Sequence, residues 1–160
     1  MSKTAVMAAE HQGHYVIKMS GDVRLTLCAT IDEYLESMFA NENFCEVIVD
    51  LTEVDGLDST TLGLMAKLAL RSRQVSGRVP ILFSPNASIT RLLHSMGFES
   101  IFIIREEQVD KDEQLATLPE LKVDEQDIRC RVIAAHRTLM GLNEKNQQAF
   151  ASLVNTLEHA

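Results

Sequence analysis

The feature that most restricts how this chain can fold is the junction between the run Cys45-Glu46-Val47-Ile48-Val49-Asp50-Leu51 and the run from Leu62 to Leu70. The first is short, β-branched and apolar, the pattern of a strand buried on both faces of a sheet. The second is apolar at every position except Gly63 and Lys67 and is long enough for a helix. Between them, Val54-Asp55-Gly56-Leu57 leads into Asp58-Ser59-Thr60-Thr61, whose side chains can each accept a hydrogen bond from the free N–H groups of a first helical turn. A hydroxyl there faces the positive end of a helix dipole, a favourable position for a phosphate. Residues of these types also cap helices that have no further role, so the serine does not define a site by itself. The helix adds a second observation. Its apolar residues exceed the single stripe that a helix between sheet and solvent requires, so it is either covered on two sides or offers a docking face.

The rest of the chain supplies the sheet around this junction. Ala5 to Glu10 and Tyr15 to Met19 read as two short strands on either side of His11-Gln12-Gly13-His14, which predicts an antiparallel hairpin. His11 and His14 are expected to be solvated turn residues and not metal ligands, because no third ligand is near. Thr30-Ile31-Asp32-Glu33 fits a capping box, followed by the helical stripe Ile31, Tyr34, Leu35, Met38 and Phe39. Asp32, Glu33 and Glu36 lie off that stripe and are expected to face solvent. The helix after Ser59 ends at Arg71-Ser72-Arg73 with Gly77 beyond it. A strand from Arg78 to Phe83, a helix with Ile89, Leu92, Leu93 and Met96 on one face, and a strand from Ile101 to Ile104 follow. The order β-β-α-β-α-β-α-β predicts an α/β fold, a mixed sheet with helices packed on it, and places the strand-to-helix loops, Ser59 included, exposed along one edge.

These residues carry a resemblance. Val47-Ile48-Val49-Asp50-Leu51 followed by Asp58-Ser59-Thr60-Thr61-Leu62-Gly63 resembles the signature of STAS domains, specifically bacterial anti-sigma factor antagonists, an apolar strand followed by D-S-S-G-L-G. Gly21-Asp22-Val23 is similar to the family's early G-E-L turn, Pro80 to Phe83 to its fourth strand, and Leu92 to Phe98 to its next helix and exit. The similarity spans roughly residues 4 to 105. Thr61 stands where the family usually has Gly, which adds Thr60 and Thr61 as rival hydroxyls. Arg24 stands where Asp is frequent, which weakens the case for a nucleotide contact. The resemblance implies that Ser59 is the phosphoacceptor of a serine kinase, reset by a PP2C-type phosphatase. It also implies that the unmodified protein binds an anti-sigma factor, or an equivalent regulatory protein, and so switches partners in transcription control. The surface that this requires is Asp22, Asp55, Asp58, Ser59, Thr60, Thr61, Leu62, Gly63 and Met65. Similarity to longer antagonists with a C-terminal tail points to motility or biofilm signalling. The alternative within the same family is a non-switching regulatory subunit of a transporter, or a ligand-sensing module.

Composition narrows the classes. A net charge of −8 leaves no basic patch to gather nucleic-acid or membrane phosphates, so proteins are the expected partners. Cys28, Cys45 and Cys130 form neither a metal spacing nor a disulfide framework, and Cys28 and Cys45 sit in apolar contexts. No P-loop glycines, no G-x-S-x-G and no zinc-type cluster occur, and the nearest histidine in sequence, His94, lies in a helix expected to be packed. A non-enzymatic protein without cofactor or metal is expected. With no secretory signal and no apolar run approaching ~18 residues, the expected compartment is the cytoplasm. After residues 1–105, the segment 106–127 holds nine acidic residues against two basic ones and reads as an exposed linker. Residues 128–160 carry two amphipathic stripes, Ile128, Val132, Ala135 and Leu139, then Phe150, Leu153, Val154 and Leu157, which predict a C-terminal helical hairpin.

Overall fold

The computed structural model describes residues 3–109 and 114–160. The chain opens with strands β1 (Ala5–His11) and β2 (His14–Val23), paired antiparallel from Ala5 opposite Ser20 to His11 opposite His14. The strands run through both histidines, so the turn is only Gln12-Gly13. Both turn residues have positive φ (50° and 84°), as a two-residue hairpin matched to strand twist requires. His11 and His14 are exposed, and His14 Nδ1 lies 3.3 Å from the Glu46 carboxylate.

Strand β3 (Glu46–Leu57) runs parallel to β2, and the alternation of strand and helix then adds β4 (Ile81–Phe83) and β5 (Ile103–Arg105), also parallel. Helices α1 (Cys28–Ala40), α2 (Ser59–Ser76) and α3 (Ala87–Ser95) form the three crossovers. The predicted α/β order is present, with one strand added. Ala116–Thr117, inside the segment read as a linker, forms β6 against β1, and the sheet order is β5-β4-β3-β2-β1-β6. The acidic residues Asp110, Asp112 and Glu113 of that segment, with Lys111, fall outside the described residues. The core lies between sheet and helices, built on fully buried Ile17, Met19, Leu35, Val49, Leu62 and Leu82. Cys28 is buried with them, Cys45 half-buried and Cys130 exposed.

Two local expectations need correction. Thr30 does not cap α1. A 3-10 turn, Leu25–Leu27, leads directly into a helix that begins at Cys28, so Thr30 lies inside it. Its buried hydroxyl donates to the Pro119 carbonyl (3.0 Å) and accepts from the Leu121 amide (2.9 Å). Of the acidic residues of α1, Glu33 and Glu36 are exposed as expected, but Asp32 is half-buried, and the three are not left to solvent alone. Lys67 of α2 donates to Asp32 (2.6 Å) and Glu36 (2.7 Å), tying the two helices together. Burial works against the Lys67 charge, but these two carboxylates outweigh it and raise the ammonium above its ordinary range.

The predicted C-terminal hairpin is formed by α4 (Glu125–Met140) and α5 (Glu144–Glu158). Asp124 caps α4 by accepting from the Asp127 amide, and Asn143 caps α5 by accepting from the Asn146 amide. Helix α4 packs along α2. Leu139 is fully buried and joins the main core.

Candidate functional site

Ser59 is the first residue of α2, and Asp58 is its N-cap. The Asp58 carboxylate accepts from the Thr61 amide through one oxygen (2.8 Å) and from the Leu25 amide through the other (2.7 Å). It therefore caps the helix and pins the β2–α1 connection to it. The Asp58 amide donates to Val23 O (3.3 Å), and the Thr61 hydroxyl reaches the same carbonyl (3.3 Å). A Cβ at Gly56 would meet the Asp22 carboxylate at 2.6 Å, so the Asp22 side chain lies over Gly56 where the ends of β2 and β3 pair. Asp22 in turn accepts from Arg24 (2.8 Å). The sequence places a hydroxyl at a helix start, and these bonds fix its position.

The predicted residues divide by access. Asp55 is exposed, while Asp22, Asp58 and Ser59 are half-buried. Thr60, Thr61, Leu62, Gly63 and Met65 are buried. Thr61 is fully inaccessible and its hydroxyl is engaged with Val23, which leaves Ser59 the most accessible of the three hydroxyl residues.

Ser59 does not stand open at the sheet edge as the topology predicted, because α4 covers it. Ser59 Oγ lies 2.7 Å from His136 Nε2. His136 is 2% exposed, its Nδ1 lies 2.7 Å from Val132 O, and its ring packs edge-on against Phe150 at 5.2 Å between centroids. A backbone carbonyl only accepts, so Nδ1 carries a proton, and in the neutral ring Nε2 is the acceptor. The Ser59 hydroxyl is therefore the donor. One turn further along α2, a Cβ on Gly63 would stand 2.3 Å from the Ala135 carbonyl oxygen and 2.7 Å from the Ala135 side chain. The helices touch backbone to backbone there. The breadth of apolar residues on α2 thus reflects burial on two sides.

His136 is the functional-site residue that sequence reasoning missed. His94, nearest in sequence, is exposed beside Glu99 at 3.3 Å and takes no part. The only sequence signals for the contact were the glycine inside α2 and the small Ala135 on the α4 stripe, which suit close approach of two helices. Arg131, expected outside that stripe, is also drawn in. It bonds Asp127 (2.6 Å), Asp32 (2.8 Å) and Glu33 (3.1 Å). The Asp127 bond raises its pKa most, burial opposes that, and Glu33 and Asp32 add to the rise.

Serine, imidazole and an orienting carbonyl in a row are the arrangement by which a hydroxyl is activated as a nucleophile. Two clefts of about 660 and 600 Å³ lie elsewhere, one beside His94 and Arg105, the other between Lys3, Ser20 and Thr117. No group of His, Cys, Asp or Glu among the described residues is arranged to hold a metal ion. No described helix is long and apolar enough to cross a membrane.

The family model of the STAS domain matches residues 5–115. The chain belongs to the STAS-domain family. Its fold also matches solved anti-sigma factor antagonists. For SpoIIAA in its unphosphorylated form the TM-score is 0.52 at 14% identity, over 71% of this chain and 91% of that one. For an antagonist from Mycobacterium paratuberculosis it is 0.55 at 16% identity, over 66% and 87%. For the phosphorylated form of the Bacillus cell fate determinant SpoIIAA it is 0.54 at 17% identity, over 64% and 93%. At these identities the likeness is one of fold. The STAS match ends before α4, so the helix that meets Ser59 lies outside the family region.

Proposed function

We propose that this STAS domain is an anti-sigma factor antagonist. In this reading it binds an anti-sigma factor, or an equivalent regulatory protein, while Ser59 is unmodified, and phosphorylation of Ser59 releases it. The observation that carries the reading is the placement of Ser59. It is a half-buried hydroxyl at the first position of an eighteen-residue helix, held there by a carboxylate cap that joins two loops. The fold shared with anti-sigma factor antagonists supports the choice of partner.

In the modification step a serine kinase brings a nucleoside triphosphate to Ser59. An Oγ–P bond forms as the bridging P–O bond to the diphosphate breaks, and the hydroxyl proton leaves. The product adds roughly −1.5 to −2 charge beside Asp58 and Asp55. The helix amides and dipole tolerate that charge within the domain. At a protein interface the same charge must be desolvated among carboxylates, which costs on the order of a few kcal/mol, or one to several decades of affinity. A PP2C-type phosphatase restores the hydroxyl. A pathway of motility or surface growth fits this scheme.

The test compares partner affinity for the wild type, Ser59→Ala and Ser59→Asp after co-purification has identified the partner. Ser59→Ala should bind within a few-fold of the wild type and Ser59→Asp at least about tenfold more weakly, ~1.4 kcal/mol. Equal affinities would remove the serine from the mechanism.

A further inference from the structure

The face that a partner would use is already occupied by this chain's own α4. We infer that the α4–α5 hairpin is an intramolecular lid on the Ser59 face, seated by a hydrogen bond that only an unmodified serine can make. The inference rests on the reading of Ser59 as the modified residue and adds what modification does to the molecule.

Three observations carry it. The first is the polarity of the latch. With His136 Nδ1 committed to Val132 O, Nε2 of the neutral ring needs a donor, and the Ser59 hydroxyl supplies it at 2.7 Å. A phosphoserine has no hydroxyl hydrogen on Oγ, so acceptor faces acceptor. The second is the lack of slack. His136 is 2% exposed, the Phe150 ring lies against it, and Ala135 beside it rides on the Gly63 backbone. A phosphoryl group does not fit between atoms already in hydrogen-bond contact. Either α4 backs away, or the phosphate turns outward and leaves a buried imidazole nitrogen without its donor. The third is that the hairpin is bound together by contacts of its own, although Leu139 also seats it in the main core. Its internal contacts include Asn146 Nδ2 to Leu139 O (3.0 Å), Phe150 on His136, and the Arg137–Glu158 pair. Its ties to the STAS domain, apart from the α2 face, include polar and exchangeable ones: Arg131 to Asp32 and Glu33, and Asn146 Nδ2 to Met96 O (2.9 Å).

The α2 face is thus shaped for a helix that sets a small residue over Gly63 and a hydrogen-bond acceptor over Ser59. Helix α4 is its resident occupant. A protein partner that docks there competes with α4, and its apparent affinity falls by the fraction of molecules that are closed. Phosphorylation both charges the face and frees the hairpin.

Hydrogen-exchange mass spectrometry on the full chain tests this without the kinase or the partner. Phosphoserine is introduced at position 59 during translation. Relative to the wild type, the phosphorylated chain should exchange at least tenfold faster across 128–140 and the first turns of α2, with β2 and β3 unchanged. His136→Ala should loosen the same peptides, and phosphorylation should then add little, because the bond it breaks is already gone. His136→Gln serves as the second variant should the alanine form fail to fold. Unchanged protection of α4 on phosphorylation would overturn the lid. So would increased protection, the sign of a phosphate–imidazolium clamp, and so would fully additive effects of the two changes. The reading of Ser59 as a cellular phosphoacceptor fails separately, through phosphopeptides from growing cells that never carry the modification.

Discussion

At the scale of single residues, Ser59 and Gly63 show what a sequence discloses and what it withholds. Asp58-Ser59 announces a helix start because capping is a local matter, settled within four residues of chain. The partner of Ser59 is 77 residues away in sequence, and its contact depends on how a separate hairpin docks. No local pattern encodes that distance. Gly63 carries part of the missing information, since a glycine inside a helix costs ~0.5–1 kcal/mol relative to alanine and needs a compensating reason. The reason is the Ala135 carbonyl, 2.3 Å from where a Cβ would be. Gly63→Ala therefore sets two effects against each other. Helix propensity favours the alanine by ~1 kcal/mol at most, and overpacking against backbone opposes it by roughly 1–3 kcal/mol. Backbone cannot swing aside as a flexible side chain can, so the clash wins. The variant should melt at a lower temperature and exchange faster in α4, whereas a rise in melting temperature would show that α4 does not seat there.

At the scale of elements, the periodicity of α1 gave its buried face correctly, with Ile31, Leu35 and Met38 fully covered. It also assigned Asp32, Glu33 and Glu36 to solvent, because a stripe identifies the inward face and says nothing of neighbours on the flank. Those neighbours are Lys67 from α2 and Arg131 from α4, and they turn the flank of α1 into a charged seam. The same helix makes stability depend on alkaline pH. Burial is the main cause that raises the Tyr34 phenol from 10.0 to about 12, with Tyr15 and Glu10 adding to it. The folded state thus favours the neutral phenol, which lies edge-on to Tyr15 at 6.3 Å. A raised pKa contributes stability that is complete below the unfolded value and is lost as pH climbs through the folded one. The loss falls between about pH 10 and 12. Lys67, also raised, acts with the same sign as its ion pairs with Asp32 and Glu36 discharge. Denaturant unfolding followed across that window should show stability falling with pH, and Tyr34→Phe should fall less steeply. Parallel slopes for the two proteins would remove Tyr34 as a cause.

For the whole molecule, strand-helix alternation was enough to give the α/β sheet, because each crossover between parallel neighbours has essentially one allowed hand. The return path of the chain was less legible. An acidic, structureless-looking stretch gives no sign that it will contribute β6 to the sheet edge or cross α1 on its way to α4. A residue that marks the route, Thr30, resembled a helix cap. Its hydroxyl instead holds Pro119 and Leu121 in place and so sets where the chain enters the hairpin that covers Ser59. Thr30→Val keeps the shape and removes both bonds. Pro119 and Leu121 are exposed enough for water to satisfy the groups released, so the cost should be small, ~1 kcal/mol. The effect on this path should be larger in rate than in overall stability. Local opening around Lys122 becomes roughly fivefold more frequent for that ~1 kcal/mol. Trypsin should therefore cut at Lys122 about fivefold faster in the variant, with hydrogen exchange in β2 and β3 unaltered. An unchanged cleavage rate would show that β6 and the packing of α4 hold the route without Thr30.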